Sequence, residues 1–235
     1  MLKLKSVFRK ILRLIRFAVF LFFFSSVLFT IIYRFVRPPV TPLQLIRVAE
    51  QVKKGDEIKM KRHWVSLDDI SQHMVQAVVA GEDNNFLKHH GFDVEAIKKA
   101  HERNKTRKRK LGASTISQQT AKNVFLWPDR TWVRKGLEVY FTGLIEIFWG
   151  KRRIMEVYLN VIETGHGIYG VDMAARKYYN KPASDLNKAE AAMIAAVLPN
   201  PRRWNPAAPT QYIGNQQQRI MRVMGQLNKV EFGEK

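Results

Sequence analysis

Residues 64–91 read WVSLDDISQHMVQAVVAGEDNNFLKHHG. Ile70, Met74, Val75, Val78 and Val79 recur at intervals of three and four, the period of one helix face. Ser66 followed three residues later by Asp69 resembles a capping box, so the helix is expected to open there. If it runs on past Gly81, then Glu82, Phe86 and His89 stand at i, i+4 and i+7 and share a face. An acid in that company suits a carboxylate partly withdrawn from water. Desolvation raises a carboxyl pKa and makes the group a usable base near neutrality. An exposed helix end carrying Glu82 and Asp83 fits the same spacing.

Downstream the pattern stays helical, with helices expected near 93–101, 114–125, 131–149, 151–162, 168–178, 188–198 and 211–228. Strand alternation is scarce and no internal repeat occurs, so the fold class is mostly α. Within Gly112–Asn123, GASTISQQTAKN, Ser114 or Thr115 can cap a helix. Thr115, Gln119 and Lys122 would then line one side, and polar donors ending in a cation suit phosphate and sugar hydroxyls. An ordinary solvent face fits too. Arg134 and Glu138 stand four apart, either as a surface ion pair or as a second acid in a cleft steered by an arginine. Residues 154–160, IMEVYLN, precede the glycine loop GHGIYG at 165–170 and read as architecture, with Asn160 at the border of a cleft. Residues 190–199, EAAMIAAVLP, are apolar nearly all round and read as core.

Upstream, Phe17–Tyr33 runs FAVFLFFFSSVLFTIIY without a charge, between Arg16 and Arg34. Spanning a bilayer takes about 20 residues, and arginine stems can snorkel at each end. Arg34-Phe35-Val36-Arg37-Pro38-Pro39 follows in place of a small-x-small cleavage site, which favours an anchor over a removed signal peptide. Six lysines and arginines and no acid precede the span, so the N-terminus is expected in the cytoplasm. The expected organisation is a basic tail (1–16), an anchor (17–36), a linker or membrane-proximal segment (37–62) and a catalytic domain (63–235); Leu45, Val48, Ala49 and Val52 stand at helix-like spacing, open to packing on the membrane surface or on the domain. Forty Lys+Arg against 20 Asp+Glu give a formal +20, which calls for an anionic partner: nucleic acid, an acidic membrane or a phosphorylated substrate. The anchor disfavours nucleic acid. Lys98–Lys110 carries eight basic residues and one acid and reads as a solvated loop, or one near anionic lipid or pyrophosphate. The chain has no cysteine, hence no disulfide or thiolate zinc site.

Taken in order, these segments resemble the glycosyltransferase domain of peptidoglycan synthases, shared with class A penicillin-binding proteins. The motif E-D-x-x-F-x-x-H-x-G is matched by Glu82, Asp83, Phe86, His89 and Gly91, and G-x-S-T-x-x-Q-Q-x-x-K-N by Gly112–Asn123. R-K-x-x-E is matched by Arg134–Glu138, I-x-E-x-Y-L-N with its glycine loop by Ile154–Gly170, and the E-A-A-x-x-A-A helix by Glu190–Pro199. S-x-x-K and K-T-G do not occur, so the likeness is to the monofunctional biosynthetic transglycosylases. The resemblance implies a lysozyme-like fold and a single-pass protein of the bacterial inner membrane, its catalytic domain outside the cytoplasm. It implies a growing glycan on undecaprenyl pyrophosphate as donor and lipid II as acceptor. Glu82 and Glu138 are the implied catalytic acids. Asp83, Phe86, His89, Ser114, Thr115, Gln119, Lys122, Asn123, Arg134 and Asn160 are the implied substrate-binding residues. No cofactor is required, though some members respond to divalent ions such as Mg or Mn, and no metal-ligand spacing is present. Other cell-wall synthesis and division proteins are expected partners. A lytic lysozyme-like enzyme and a noncatalytic membrane-tethered scaffold are the rivals.

Overall fold

The computed structural model describes residues 2–106, 112–129 and 131–233, and forms two units, Met1–Arg37 and Pro38–Lys235. Arg107, Lys108, Arg109 and Lys110 of the basic run lie outside the described residues.

The first unit is one helix, α1 (Leu2–Phe35), which carries the basic tail and the apolar span without a break. Its Ser6–Phe35 stretch is 30 residues long and apolar enough to cross a membrane. At a rise of about 1.5 Å per residue this exceeds the roughly 30 Å hydrocarbon core. Phe17, Phe20 and Phe24 stand exposed, as side chains that meet lipid must.

The second unit begins at Pro38, so residues 38–62 fold with the domain, one of the placements left open for that stretch. Thr41 caps α2 (Pro42–Lys54) in a capping box with Gln44, with Pro42 at its first position. The Gln51 side chain accepts from Lys59 N and donates to Lys59 O, which folds the next stretch back on α2. That stretch ends in β1 (Lys61–Arg62), the edge of a three-stranded sheet of order β1-β3-β2 with β2 (Glu163–Gly165) and β3 (Ile168–Tyr169).

Ser66 opens only a 3-10 turn, Leu67–Asp69, because Ile70 leaves in an extended conformation. The long helix starts later: Ser71 caps α3 (Gln72–Glu82). It is followed by α4 (Val94–Thr106), α5 (Ile116–Phe125), α6 (Trp132–Phe148) and α7 (Lys151–Val161). Then come α8 (Val171–Tyr179), α9 (Lys188–Val197) and α10 (Gln211–Gln226). Residues 98–106 of the basic run are helical, not loop.

Helix α9 is buried from Ala191 to Val197 and packs on α3 and α10. Helix α5 packs on α6 and α7, whose Ile154, Met155, Tyr158 and Leu159 are fully buried. The catalytic motifs sit where these two groups meet, at the C-terminus of α3 and the N-terminus of α5. The outward face of α6 is apolar: Trp132 is 91% exposed and Ile147 75%, with Val133 and Val139 between them. A contiguous apolar face of this kind marks an interaction surface.

Candidate active site

Helix α3 ends on Glu82, and Asp83 leaves the helical conformation with its N–H still bonded to Val79 O. The buried Asp83 carboxylate accepts from His89 Nε2 at 3.0 and 3.1 Å and from the backbone N–H of Ile116 at 3.0 Å. Ile116 is the first residue of α5, so a negative charge sits on the positive end of that helix. Thr115 adds a capping box with Gln118, and its hydroxyl donates to Gly91 O at 2.6 Å. Gly91 has φ +88°, and a Cβ there would stand 2.8 Å from Thr142 Cγ2, so only glycine carries the loop past α6. These bonds dock the N-terminus of α5 against the C-terminus of α3.

The docking brings Gln119, one turn into α5, to Glu82. Gln119 Nε2 donates to Glu82 Oε2 at 2.7 Å, and the hydroxyl of buried Tyr158 donates to Gln119 Oε1 at 3.3 Å. The chain Tyr158–Gln119–Glu82 fixes the carboxylate's direction. Burial pushes the Glu82 carboxyl above its ordinary range, and Asp83 adds to this. The Gln119 hydrogen bond and the cations Lys122 and Arg219 pull it back without cancelling the rise. A carboxylate so placed is suited to take up a proton near neutral pH.

Lys122 follows Gln119 by three positions on α5 and makes no salt bridge among the described residues. Burial lowers its ammonium pKa, Arg134 and Lys135 lower it further, and Glu138 and Glu82 oppose them. Arg134 Nη1 donates to Glu138 Oε2 at 2.6 Å and Lys135 Nζ holds Glu138 Oε1. The pair is buried, not a surface pair. Arg134 Nε is buried with no partner.

Two clefts flank the Glu82–Gln119 contact. One, of about 470 Å³, is lined by Gln119, Lys122, Asn123 and Arg134 and, across from them in sequence, by Arg47 and Glu163. The other, of about 360 Å³, is lined by Glu82, Ser114, Lys99, Arg103 and Arg219. Glu82 lines the second cleft, where Asp83 and Asp93 join it against Lys99, Arg103 and Arg219, and its partner Gln119 lines the first.

The transglycosylase family profile matches residues 49–225. The chain belongs to this family. It is similar to a biosynthetic peptidoglycan transglycosylase of Bacteroides thetaiotaomicron, 53% identical over 227 residues, covering 97% of this chain and 92% of the relative. The corresponding protein of Bdellovibrio bacteriovorus is 55% identical over 204 residues, 87% of this chain and 82% of its own length. That of Yersinia pseudotuberculosis is 57% identical over 170 residues, 72% and 70%. The chain is thus a glycosyltransferase, mostly helical and lysozyme-like as expected.

Within the transglycosylase, several residues assigned to substrate binding face inward. Phe86, Glu82 and His89 do not share a helix face, because α3 stops at Glu82. Phe86 is fully buried under the Lys151 ammonium, 4.7 Å from its ring centre. Asp83, His89 and Thr115 hold α5, as described, so Thr115 does not extend a Gln119–Lys122 stripe. Asn160 lines neither cleft: its amide accepts from Val65 N and donates to Val65 O and Glu156 O, using both donors and one acceptor site in pinning the segment before α3 to α7. Glu138 has both oxygens taken by cations, which makes it a positioning residue rather than an acid or base. Ser114, Gln119, Lys122, Asn123 and Arg134 do line the clefts. Sequence reading missed Arg47, Glu163 and Arg219, whereas Lys99 and Arg103 belong to the basic run it had singled out. Among the missed residues only Arg47 had a local signal, the Thr41-Pro42-Leu43-Gln44 capping box that starts its helix. Among the described residues no group of three His, Asp or Glu is placed to hold a metal ion.

Proposed function

We propose that this transglycosylase polymerises peptidoglycan glycan strands at the outer face of the cytoplasmic membrane. The donor is the growing strand, linked through its reducing sugar to undecaprenyl pyrophosphate, and the acceptor is lipid II. The acceptor's N-acetylglucosamine 4-hydroxyl attacks the donor anomeric carbon while Glu82 takes its proton. The new bond is a β-1,4 glycoside, the α-linked phosphate leaves, and the centre inverts, as in an inverting glycosidase with a sugar hydroxyl in place of water. Lys122 and Arg134 meet the departing diphosphate, Arg134 with planar geometry and an Nε that has no protein acceptor. Glu138 holds Arg134 and Lys135 in place for that task. No cofactor is required, and Mg or Mn acts on the substrate's diphosphate alone.

One observation carries the reading. Glu82, raised by burial and aimed by Gln119, sits between a cleft with Lys122 and Arg134 and a cleft with Lys99, Arg103 and Arg219. Lys122 and Arg134 together suit a diphosphate-bearing substrate; a hydrolase acting on finished strands has no diphosphate to meet. The exposed apolar face of α6 and the apolar helix α1 suit an enzyme whose substrates stay in the bilayer. The positive-inside rule gives α1 its orientation, N-terminus in the cytoplasm. The experiment is polymerisation of lipid II in detergent by the purified protein beside Glu82→Gln. Polymer from the first and at least about a hundredfold less from the second is expected. Clearing of purified sacculi with no polymer would overturn the reading in favour of a lytic enzyme.

A further inference from the structure

The cleft that holds Lys122 and Arg134 contains a second polar group that the chemistry above leaves unused. Arg47 of α2 and Glu163 of β2 both line it, with side chains 19% and 9% exposed. Arg47 and Glu163 come from α2 and β2, and Lys122 and Arg134 from α5 and α6, so the cleft is walled by two separate groups. Arg47 Nη1 donates to both oxygens of Glu50, at 3.1 and 2.8 Å. Its Nε faces Glu163 Oε2 at 3.6 Å, beyond hydrogen-bond length. Arg47 Nε and Glu163 Oε1 are buried without partners, and so is the hydroxyl of Tyr169, which pairs with Glu163 across β2 and β3. Buried polar groups are nearly always satisfied, and two such atoms on one wall of a cleft suit a polar ligand.

We propose that Arg47 and Glu163 form a hydroxyl-binding subsite for the donor glycan. The inference rests on the function proposed above. A single oxygen about 2.8 Å from each of two atoms 3.6 Å apart completes a compact triangle with normal hydrogen-bond lengths. A hydroxyl fits because one oxygen both accepts from Arg47 Nε and donates to Glu163 Oε2. A phosphate oxygen has no proton to give and is repelled by the carboxylate; an ammonium cannot accept from arginine. The local charge is balanced, Arg47 and Arg202 against Glu50 and Glu163, whereas the three cations Lys122, Arg134 and Lys135 stand against Glu138 and Glu82. The cleft therefore reads the donor's direction: diphosphate at the cationic group, uncharged sugar at the balanced one.

The test uses the full-length protein in detergent with lipid II, comparing wild type, Glu163→Ala, Glu163→Gln and Arg47→Lys. Glu163→Ala is expected to raise KM tenfold to a hundredfold, the usual range for losing a hydrogen bond to a charged group, with kcat within about threefold. Glu163→Gln keeps an acceptor oxygen and recovers most of the affinity. Arg47→Lys keeps the charge facing Glu50 but lacks Nε, and raises KM as well. If the pair were only a staple between α2 and β2 bridged by water, Glu163→Ala would lower Tm without separating KM from kcat, and Glu163→Gln would not rescue it. That result, or a KM within twofold of wild type in Glu163→Ala and Arg47→Lys, overturns the subsite. A wild-type protein that makes no polymer overturns the proposed function itself, and the subsite with it.

Discussion

Replacing Asp83 by alanine separates a clamp from a substrate ligand. The Asp83 carboxylate receives two donors, His89 Nε2 and the Ile116 N–H, and both donors are left buried when it is removed. Hydrogen bonds to a charged group are worth about 1.5–3 kcal/mol each, and a carboxylate at a helix N-terminus adds about 0.3–1 kcal/mol. Shared partners make such terms less than additive, so a loss of about 3–5 kcal/mol is expected for Asp83→Ala. For a domain of this size about 1 kcal/mol moves Tm by roughly 2–4 °C, so the fall is on the order of 10 °C. Asp83→Asn keeps one acceptor oxygen and loses the charge, and should give up about half as much. The assay is thermal unfolding in detergent, paired with initial rates on lipid II. Activity should fall in step with the displacement of Gln119, seen as a lower kcat. An Asp83→Ala protein that melts within about 2 °C of wild type while its KM rises would refute the clamp and return Asp83 to the substrate.

Lys122→Ala removes a desolvated cation from the diphosphate and should lower kcat/KM by roughly tenfold to a hundredfold; a Tm near wild type will show the loss is not one of folding. Trp132→Glu combined with Ile147→Glu puts charge on the apolar face of α6. Activity on lipid II in vesicles should drop severalfold while activity in detergent micelles holds; equal effects in both would exclude a membrane role for that face. Because burial raises the Glu82 pKa and the base must be ionised, kcat/KM should hold at neutral pH and fall as pH drops, with its acid limb above the ordinary carboxylate value of 4.5. A limb at or below that value, measured on free lipid II, would sink the assignment of Glu82 as base.

Long helices with clear periodicity were legible, and so was the part of the site that is local to one helix. Gln119 and Lys122 stand three apart on α5, and that spacing could be read directly. Contacts between segments could not. Glu82 meets Gln119 because Asp83 binds Ile116, 33 residues away, and no periodicity encodes that bond. The Ser66–Asp69 signal misled because a capping serine describes only the next turn; Ser71, with Met74 and Val75 buried just beyond it, had the core to grow a helix against. The helix at residues 42–54 has local signals, but what the stretch packs on was not legible, because the β1–β3 pairing that decides it joins residues 61–62 to residues 168–169. Arg219 reaches the second cleft from α10, a placement set by α10 packing on α3 and α9.

Glu82 and Lys122 oppose one another in a way that ties catalysis to binding. In the empty site the Lys122 ammonium steadies the Glu82 carboxylate, lowering its pKa and with it its basicity. Burial at the same time presses Lys122 toward neutrality. A diphosphate entering beside Lys122 reverses both effects. Its negative charge favours the ammonium, and by offsetting that cation it weakens the pull on Glu82. The glutamate then becomes a stronger base only once the donor is in place. Since kcat/KM reports the free enzyme and kcat the loaded one, the acid limb of kcat should lie at higher pH than that of kcat/KM. In Lys122→Ala the cation is gone from both states, so both limbs should move to higher pH. Coincident limbs in the wild type would mean that the diphosphate binds too far from Lys122 to change the charge that Glu82 feels.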